Sequence, residues 1–486
     1  MGSTCRIGIY FIFFFLLSCQ VSLSPQQQVQ HLKATPKIEK EITAQKRAGF
    51  IKSGDWPSKY WWVAYNSPEL NKLMVDALTC NPSIHEIKSR MQAARQEAVV
   101  VGAKLFPLVF FDARENLQYL SKNGLFRALN PRLPRHTDLL DFSLSFRYEF
   151  DFWGQNRNLL AAAVGEAKVL RGEVAQIQLL TTTALAQAYF AYKVNIAKQK
   201  LYQQLVTVRQ NILSLQRALI NNALADDLPI YTAQENLFTA KQWLADIDHE
   251  IAVNRHLVNV LAGRNPETAL ADEQRLPGLP RKLIVPKTIS LDLIARRPDL
   301  MAQIWRAKAL AYKTGAAMAE YYPDVNLVGL IGLESTGWKK LLRASSVTAA
   351  LRPAIHLPIF TAGRIRANIR ANKAEFDAAI FAYNNLLLRS TQEILDILQF
   401  AKAVNRKRQE QNKILSFAED RYKIIKNRER NGLDNGMEVY RQQEEVIQNK
   451  LVSLSLLYDQ YLASVKLIKA LGGGYCQPDI PLVRQS

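Results

Sequence analysis

The chain has 486 residues, 48% of them hydrophobic and 22% charged, which is enough for a large core or several domains. Its net charge of +20 would suit nucleic acid, an anionic membrane surface or acidic partners. The Lys and Arg residues are spread along the chain and form no single stripe with interleaved aromatics, which argues against a nucleic-acid partner and for cations that solvate long helices.

The first predicted element is a targeting segment. Arg6 precedes the apolar run Ile7–Leu17, which suits a signal peptide and is short for a membrane-spanning helix. The run closes on Leu16-Leu17-Ser18-Cys19, which resembles the lipobox of bacterial lipoproteins, where cleavage falls before the cysteine and lipid is attached to it. Residues 1–18 are accordingly read as signal peptide, Cys19 as the lipid-attachment site and 19–60 as a lipidated N-terminal segment. An ordinary signal peptide with a chance cysteine is the plainer alternative. No other apolar run of about eighteen residues follows, so a membrane crossing falls to strands. Cys5 leaves with the signal, and Cys80 and Cys476 stay as the thiols of an exported chain.

Two stretches of the chain resemble each other. Pro82, Arg90, Ala93, Ala103, Pro107 and Val109 match Pro298, Arg306, Ala309, Ala319, Pro323 and Val325 in order. Further on, Gly154, Arg157, Ala162, Leu224, Tyr231 and Gly263 match Gly363, Arg366, Ala371, Leu433, Tyr440 and Gly472. A colinear series of this extent indicates a duplicated unit, 61–265 and 297–475, joined by a Pro-rich connector 266–296 and followed by a tail 476–486. The first unit has the longer loop between its paired proline and paired glycine.

Each unit reads helix, strand, strand, helix, helix. The first helix opens at Pro82 or Pro298, where a missing N–H costs nothing, and ends before Pro107 or Pro323. The strands fall at about 108–152 and 324–360. In Phe142–Phe152, Phe142, Leu144, Phe146, Tyr148, Phe150 and Phe152 alternate with Ser143, Ser145, Arg147, Glu149 and Asp151, a period-two pattern with aromatics on one side. Val325 and Val347 open two more strands of that period, and Pro353 and Pro358 weaken the far end of the second. Long helical hairpins follow at 155–262 and 364–471. No proline occurs between Arg135 and Leu228 or between Ile359 and Gln477. One helix over Gly154–Asn222 would be on the order of 100 Å long and would need neighbours along its length. The hairpins break at the turn-rich Asn221–Pro229 and Asn431–Met437.

The aromatic strand face fits lipid and its polar face fits water inside a barrel; a half-buried strand of a soluble sandwich is the other reading. Four membrane strands cannot close a barrel, for which about eight is the smallest number, and an open edge is forbidden in lipid. The chain must then pool strands with copies of itself, two or three.

Four segments, FRYEFDFWGQNRN (Phe146–Asn158), ARRPDL (Ala295–Leu300), LPIFTAGRIRANIRA (Leu357–Ala371) and ALGGGY (Ala470–Tyr475), resemble the TolC-like outer-membrane efflux proteins, in particular their NodT-type lipoprotein branch. The resemblance implies a mixed α and transmembrane β-barrel fold, with two tandem repeats and four membrane strands per chain. It implies a homotrimer with a twelve-stranded barrel and a long α-helical periplasmic tunnel. It also implies a passive exit duct for drugs or other small toxic compounds, docked to a periplasmic membrane-fusion adaptor and an inner-membrane resistance–nodulation–division pump. A duct for type I protein secretion uses the same fold, and a soluble coiled-coil scaffold is a third class, against which LLSC and the aromatic strand both speak. No enzyme, cofactor or metal is expected. A phosphate-binding Gly-rich loop and a G-x-S-x-G nucleophile motif are missing, and the six histidines lack ligand spacing, the pair His249 and His256 included.

The resemblance further implies roles for single residues. The tips Leu224, Asp226, Asp227, Gly432 and Leu433 would contact the adaptor. Glu438 would join the acidic ring of the periplasmic aperture, with Asp434 and Arg441 on the same helix face. Arg441 stands where the family commonly has a second acid, and it would latch the closed aperture by bridging Glu438; a solvated pair on the outer surface is the alternative. The helix ends beside Cys80 and Cys476 would meet, leaving a disulfide and two unpaired thiols as the alternatives.

Overall fold

The computed structural model describes residues 51–475 apart from 223, 225, 227, 271–274, 280–282 and 287–295. Cys19, Asp227 and Cys476 lie outside the described residues. In chain order come β1 (Ile51–Gly54), a 3-10 turn at Trp61–Tyr65, α1 (Pro68–Cys80), α2 (Pro82–Gly102), β2 (Leu108–Tyr119) and β3 (His136–Phe150). There follow α3 (Gln155–Asn221), α4 (Leu228–Leu261), β4 (Leu283–Pro286), α5 (Pro298–Ala319), β5 (Asp324–Ser335), β6 (Val347–His356), α6 (Arg364–Arg430) and α7 (Gly436–Ala470). Helices α3 and α6 have 67 residues each, so each measures about 100 Å at 1.5 Å per residue. The chain divides into two compact units.

One unit holds residues 90–170 and 303–383. Its four strands form one antiparallel sheet in the order β2-β3-β5-β6. Strand β3 starts six residues before the aromatic alternation does, and it stops at Phe150, leaving Phe152 in the turn into α3. Strand β6 ends at His356 and takes Pro353 within it, opposite Leu327 of β5. Small residues let α3 and α5 approach closely. A Cβ on Gly165 would lie 2.9 Å from the Cβ of Ala309. Lys313 pairs with Glu166 at 3.3 Å across the same contact, and the Lys168 ammonium sits 4.0 Å from the Trp305 ring centroid.

The other unit holds the described parts of residues 33–89, 171–302 and 384–486. Helix α1 was not foreseen, although its start is written in the sequence. Ser67 accepts a hydrogen bond from the Leu70 amide at 3.3 Å, Pro68 occupies the first turn, and Glu69 faces the positive end of the helix dipole. Together with Trp61, Trp62 and Tyr65, α1 packs against α3, α4 and α7 in the main core, where Phe190 and Tyr461 stack at 4.4 Å. Glu69 ion-pairs with the buried Lys193 at 2.7 Å and accepts from the Tyr189 hydroxyl at 2.9 Å. Strands β1 and β4 make a short parallel ladder that ties the N-terminal segment to the connector. By composition α7 is the one described helix that could cross a membrane, yet its Tyr461 and Val465 belong to this core.

Two helix junctions in this unit have the same plan. The end of α4 meets the start of α2: a Cβ on Gly263 would lie 2.6 Å from the Cys80 carbonyl oxygen, and the Asn81 side-chain amide donates to the Leu261 carbonyl at 2.9 Å. The end of α7 meets the start of α5: a Cβ on Gly472 would lie 1.9 Å from the Arg296 carbonyl oxygen, and Arg297 donates to the Ala470 carbonyl at 3.0 Å. Both glycines have left-handed φ, +73° and +87°, so hydrogen is the only side chain that fits either place.

Candidate channel wall and aperture

The sheet register sorts its side chains into two faces. Val109, Phe146, Gly329 and Leu351 form one cross-strand row, and Phe111, Leu144, Ile331 and Ala349 the next. From the row Phe150–Val325–Ile355 to the row Ala113–Phe142–Leu333–Val347, this face carries no charged side chain. The opposite face carries Asp112, Arg114, Asp141, Arg147, Glu149, Glu334 and Arg352. On it Ser145 donates to Asp112 at 3.3 Å. A single chain exposes much of the uncharged face: Val109, Phe111, Ile331 and Leu351 are all more than half accessible.

Aromatic side chains bound this apolar band at both ends. At one end Trp153 stacks on Tyr322 at 4.7 Å and donates its indole N–H to the Pro323 carbonyl at 2.9 Å. At the other, Trp338 packs edge-on to Phe142 at 5.9 Å and donates to Glu115 at 3.0 Å, and Arg135 lies over Tyr119 at 4.3 Å. Strands β2 and β6 each have one strand partner among the described residues, so the sheet has two open edges. An apolar band flanked by aromatic side chains is the pattern of lipid-facing strand surfaces, and the two edge strands leave backbone groups open to further pairing.

The second candidate region is the turn between α6 and α7. Gly432 adopts left-handed backbone (φ +71°), Leu433 is exposed, and Asn435 caps α7 by accepting from the Glu438 amide at 3.1 Å. Glu438 thus sits in the first turn of α7, where its charge suits the helix dipole. Its carboxylate accepts from Gln442 at 2.7 Å and stands 3.8 Å from Arg441, whose side chain is 68% accessible. Asp434 departs from the expected shared helix face. It precedes the cap, and its carboxylate pairs with Arg428 of α6 at 2.6 Å, so it closes the turn from the other side. In the α3–α4 turn, Leu224 and Asp226 are both exposed. Cys80 ends α1 as an exposed free thiol, its Sγ 3.4 Å from Thr79 Oγ1.

Sequence reasoning missed the contacts that hold the hairpins together here. The almost buried Arg209 of α3 pairs with Glu444 of α7 at 2.6 Å, and its guanidinium lies 5.1 Å from the Trp243 ring of α4. Lys450 of α7 pairs with Glu419 of α6 at 3.3 Å. Glu444 had a signal, since it aligns with Glu235 in the internal repeat; Arg209 had none. Among the described residues, no three His, Cys, Asp or Glu side chains gather as metal ligands.

A family model for outer membrane efflux proteins matches residues 73–263 and 290–473. The multidrug resistance outer membrane protein MdtQ of Escherichia coli O6:H1 is 27% identical over 433 residues, 87% of this chain and 90% of MdtQ. MdtP of the same strain is 25% identical over 87% of this chain and 88% of its own length. The crystal structure of the outer membrane protein VceC from Vibrio cholerae superposes with a TM-score of 0.77 and 28% identity, covering 86% of this chain and all of VceC. The CmeC outer membrane channel of Campylobacter jejuni shares the fold, with a TM-score of 0.81, 19% identity and coverage of 88% and 90% of the two chains. Matched along most of its length in strands and helices alike, the chain belongs to the outer membrane efflux protein family.

Proposed function

We propose that three copies of this chain pool their four strands into a twelve-stranded barrel in the outer membrane and their long helices into a periplasmic tunnel, a passive exit duct for drugs and other small toxic compounds. The observation that carries this reading is the uncharged, aromatic-flanked sheet face with two unpaired edges. Exposed hydrocarbon of that extent needs lipid, and exposed strand edges in lipid need partners. The drug class rests on the names of the MdtQ and MdtP relatives.

In this reading the chain comprises two tandem units, 61–265 and 297–475, and Cys19 carries lipid that tethers it to the outer membrane. Leu224, Asp226, Asp227, Gly432 and Leu433 face a periplasmic adaptor, which links the duct to an inner-membrane resistance–nodulation–division pump. Glu438 lines the aperture, and Arg441 latches it. No catalytic step is needed, because the pump supplies the work and the duct supplies a path.

The test is native mass spectrometry of the purified full chain, together with conductance in planar bilayers. Trimers that open discrete channels are expected. A stable monomer, or trimers that conduct nothing under any voltage, would refute the duct.

A further inference from the structure

Two loops leave the same end of the four-stranded sheet: residues 120–135 between β2 and β3, and residues 336–346 between β5 and β6. The first contains Lys122, Arg127, Arg132 and Arg135, the second Lys339, Lys340 and Arg343, and neither contains an Asp or a Glu. The seven cations have no ion-pair partner among the carboxylates of the described residues. Arg127 donates to the carbonyls of Leu133 and Pro131, which shapes the loop without neutralising its charge. Arg135 lies over Tyr119. Lys122, Arg132, Lys339, Lys340 and Arg343 are exposed. Glu115, Asp138 and Glu334 sit in the strand ends, and Glu115 is engaged by Trp338.

The opposite end of the sheet is built differently. There Arg157 pairs with Asp151 at 3.1 Å and Arg364 with Glu320 at 3.0 Å. Lys104 and Arg366 at that end make no ion pair among the described residues either, but Glu149, Asp151, Glu320 and Asp324 stand among its cations, whereas the two loops hold seven cations and no acid. Exposed apolar side chains are interleaved with the loop cations: Leu125, Phe126 and Leu129 on a short helical turn, and Leu342, which is 87% accessible. All of this adjoins the aromatic rim formed by Tyr119, Trp338 and Phe142 at the edge of the uncharged band.

A soluble polyanion would satisfy the cations and leave the four apolar side chains in water. A phosphate-bearing lipid satisfies both, since it carries anionic headgroups and acyl chains at one depth, and basic residues beside an anionic bilayer are individually attracted to it. We infer that these two loops dock on phosphorylated lipid headgroups of the adjoining leaflet, with the cations on phosphates and Leu125, Phe126, Leu129 and Leu342 among the upper acyl carbons. This inference rests on the barrel reading, which sets the aromatic rim at headgroup depth.

The probe is bisphosphorylated lipid A, compared with the same lipid stripped of its phosphates, titrated against the full-length protein in native mass spectrometry. The test variant carries Lys122→Gln, Arg132→Gln, Lys339→Gln, Lys340→Gln and Arg343→Gln, sparing Arg127 and Arg135, which make contacts within the fold. Wild type should prefer the phosphorylated lipid, and the variant should lose that preference with at least a ~10-fold drop in affinity. Inorganic phosphate should not compete, because it lacks acyl chains. Conductance of both proteins in zwitterionic bilayers is the control. If both conduct and the variant binds lipid A as wild type does, or the dephosphorylated lipid binds equally, the docking surface is wrong. If wild type neither inserts nor conducts, the barrel reading falls and this inference with it.

Discussion

Arg297 offers a sharp quantitative test of how the helix junctions are held. Its side chain is 9% accessible and makes charged hydrogen bonds to Asp299 at 2.7 Å and Glu393 at 3.0 Å, plus one to the Ala470 carbonyl at 3.0 Å. Burial works against its charge, but Asp299 and Glu393 outweigh burial and hold its pKa above the ordinary arginine value. Arg297→Met keeps most of the volume and removes every donor. The Ala470 carbonyl then loses a partner, at about 1–3 kcal/mol, and two carboxylates lose their counter-charge. Breaking a buried pair from one side costs about 3–5 kcal/mol. Glu393 is a third accessible and keeps Lys469 at 3.9 Å, so the lower end of that range, ~3 kcal/mol, applies.

The loss should appear locally. The amides of Leu471, Gly472 and Gly473 bond back to Leu467, Lys469 and Ile468 at the end of α7. Hydrogen exchange of these amides should accelerate ~100-fold in Arg297→Met, while amides of the β2–β6 sheet keep their wild-type rates. Adding Glu393→Gln should recover part of the loss, since it removes an uncompensated charge. A change under ~5-fold at these amides would show that Arg297 is a bystander at the junction.

Three other outcomes can be checked. Burial pushes the Tyr461 hydroxyl up to about 12, so the folded state favours the protonated phenol; its stabilisation is complete below the unfolded value near pH 10 and is lost as pH rises from ~10 to 12. Alkaline unfolding followed by phenolate absorbance should shift upward in Tyr461→Phe, and an unchanged curve would refute this assignment. A Cβ on Gly329 would lie 1.9 Å from the Phe146 ring, so Gly329→Val should lower the heat stability of the assembled protein by ~1–3 kcal/mol, and Phe146→Ala in the same chain should partly restore it; a neutral Gly329→Val would mean the ring moves freely. Arg441→Ala should raise single-channel conductance and strengthen cation preference, and if neither changes, the latch is wrong.

Period-two alternation in Phe142–Phe152 and the proline-free stretches were enough to read strands and very long helices, because both periodicities repeat over many residues. The start of α1 is legible at Ser67-Pro68-Glu69, an N-cap residue followed by proline and an acid. The β1–β4 ladder was not legible: four residues per strand carry no measurable period, and their pairing joins Ile51 to Leu283 across most of the chain. At the candidate aperture the sequence named Glu438 and Arg441 correctly as neighbours. It put Asp434 on the wrong element, because helical spacing was assumed through a residue that lies before the Asn435 cap. Arg209 was invisible for another reason. Its partners Glu444 and Trp243 sit on two other helices, and helical spacing on α3 gives no information about either.

The two glycine junctions clarify why one of them carries a buried charge. At both, the carbonyl end of one helix lies beside the amide end of another, so opposite partial charges meet. At both, the residue before the proline of the second helix caps the end of the first. Asn81 does this with a neutral amide, which links α4 to α2, and its backbone N–H ends α1 by donating to the Ala77 carbonyl. Arg297 does the same for α7 and α5, and its remaining donors also reach Glu393 of α6. A neutral side chain as short as Asn81 would cap Ala470 and leave α6 untied. The buried guanidinium, with Asp299 and Glu393 to neutralise it, holds three helices at one point, and these include both arms of the hairpin that ends in Glu438 and Arg441. The charge therefore belongs to the coupling of that hairpin to α5, a task the Asn81 junction does not have.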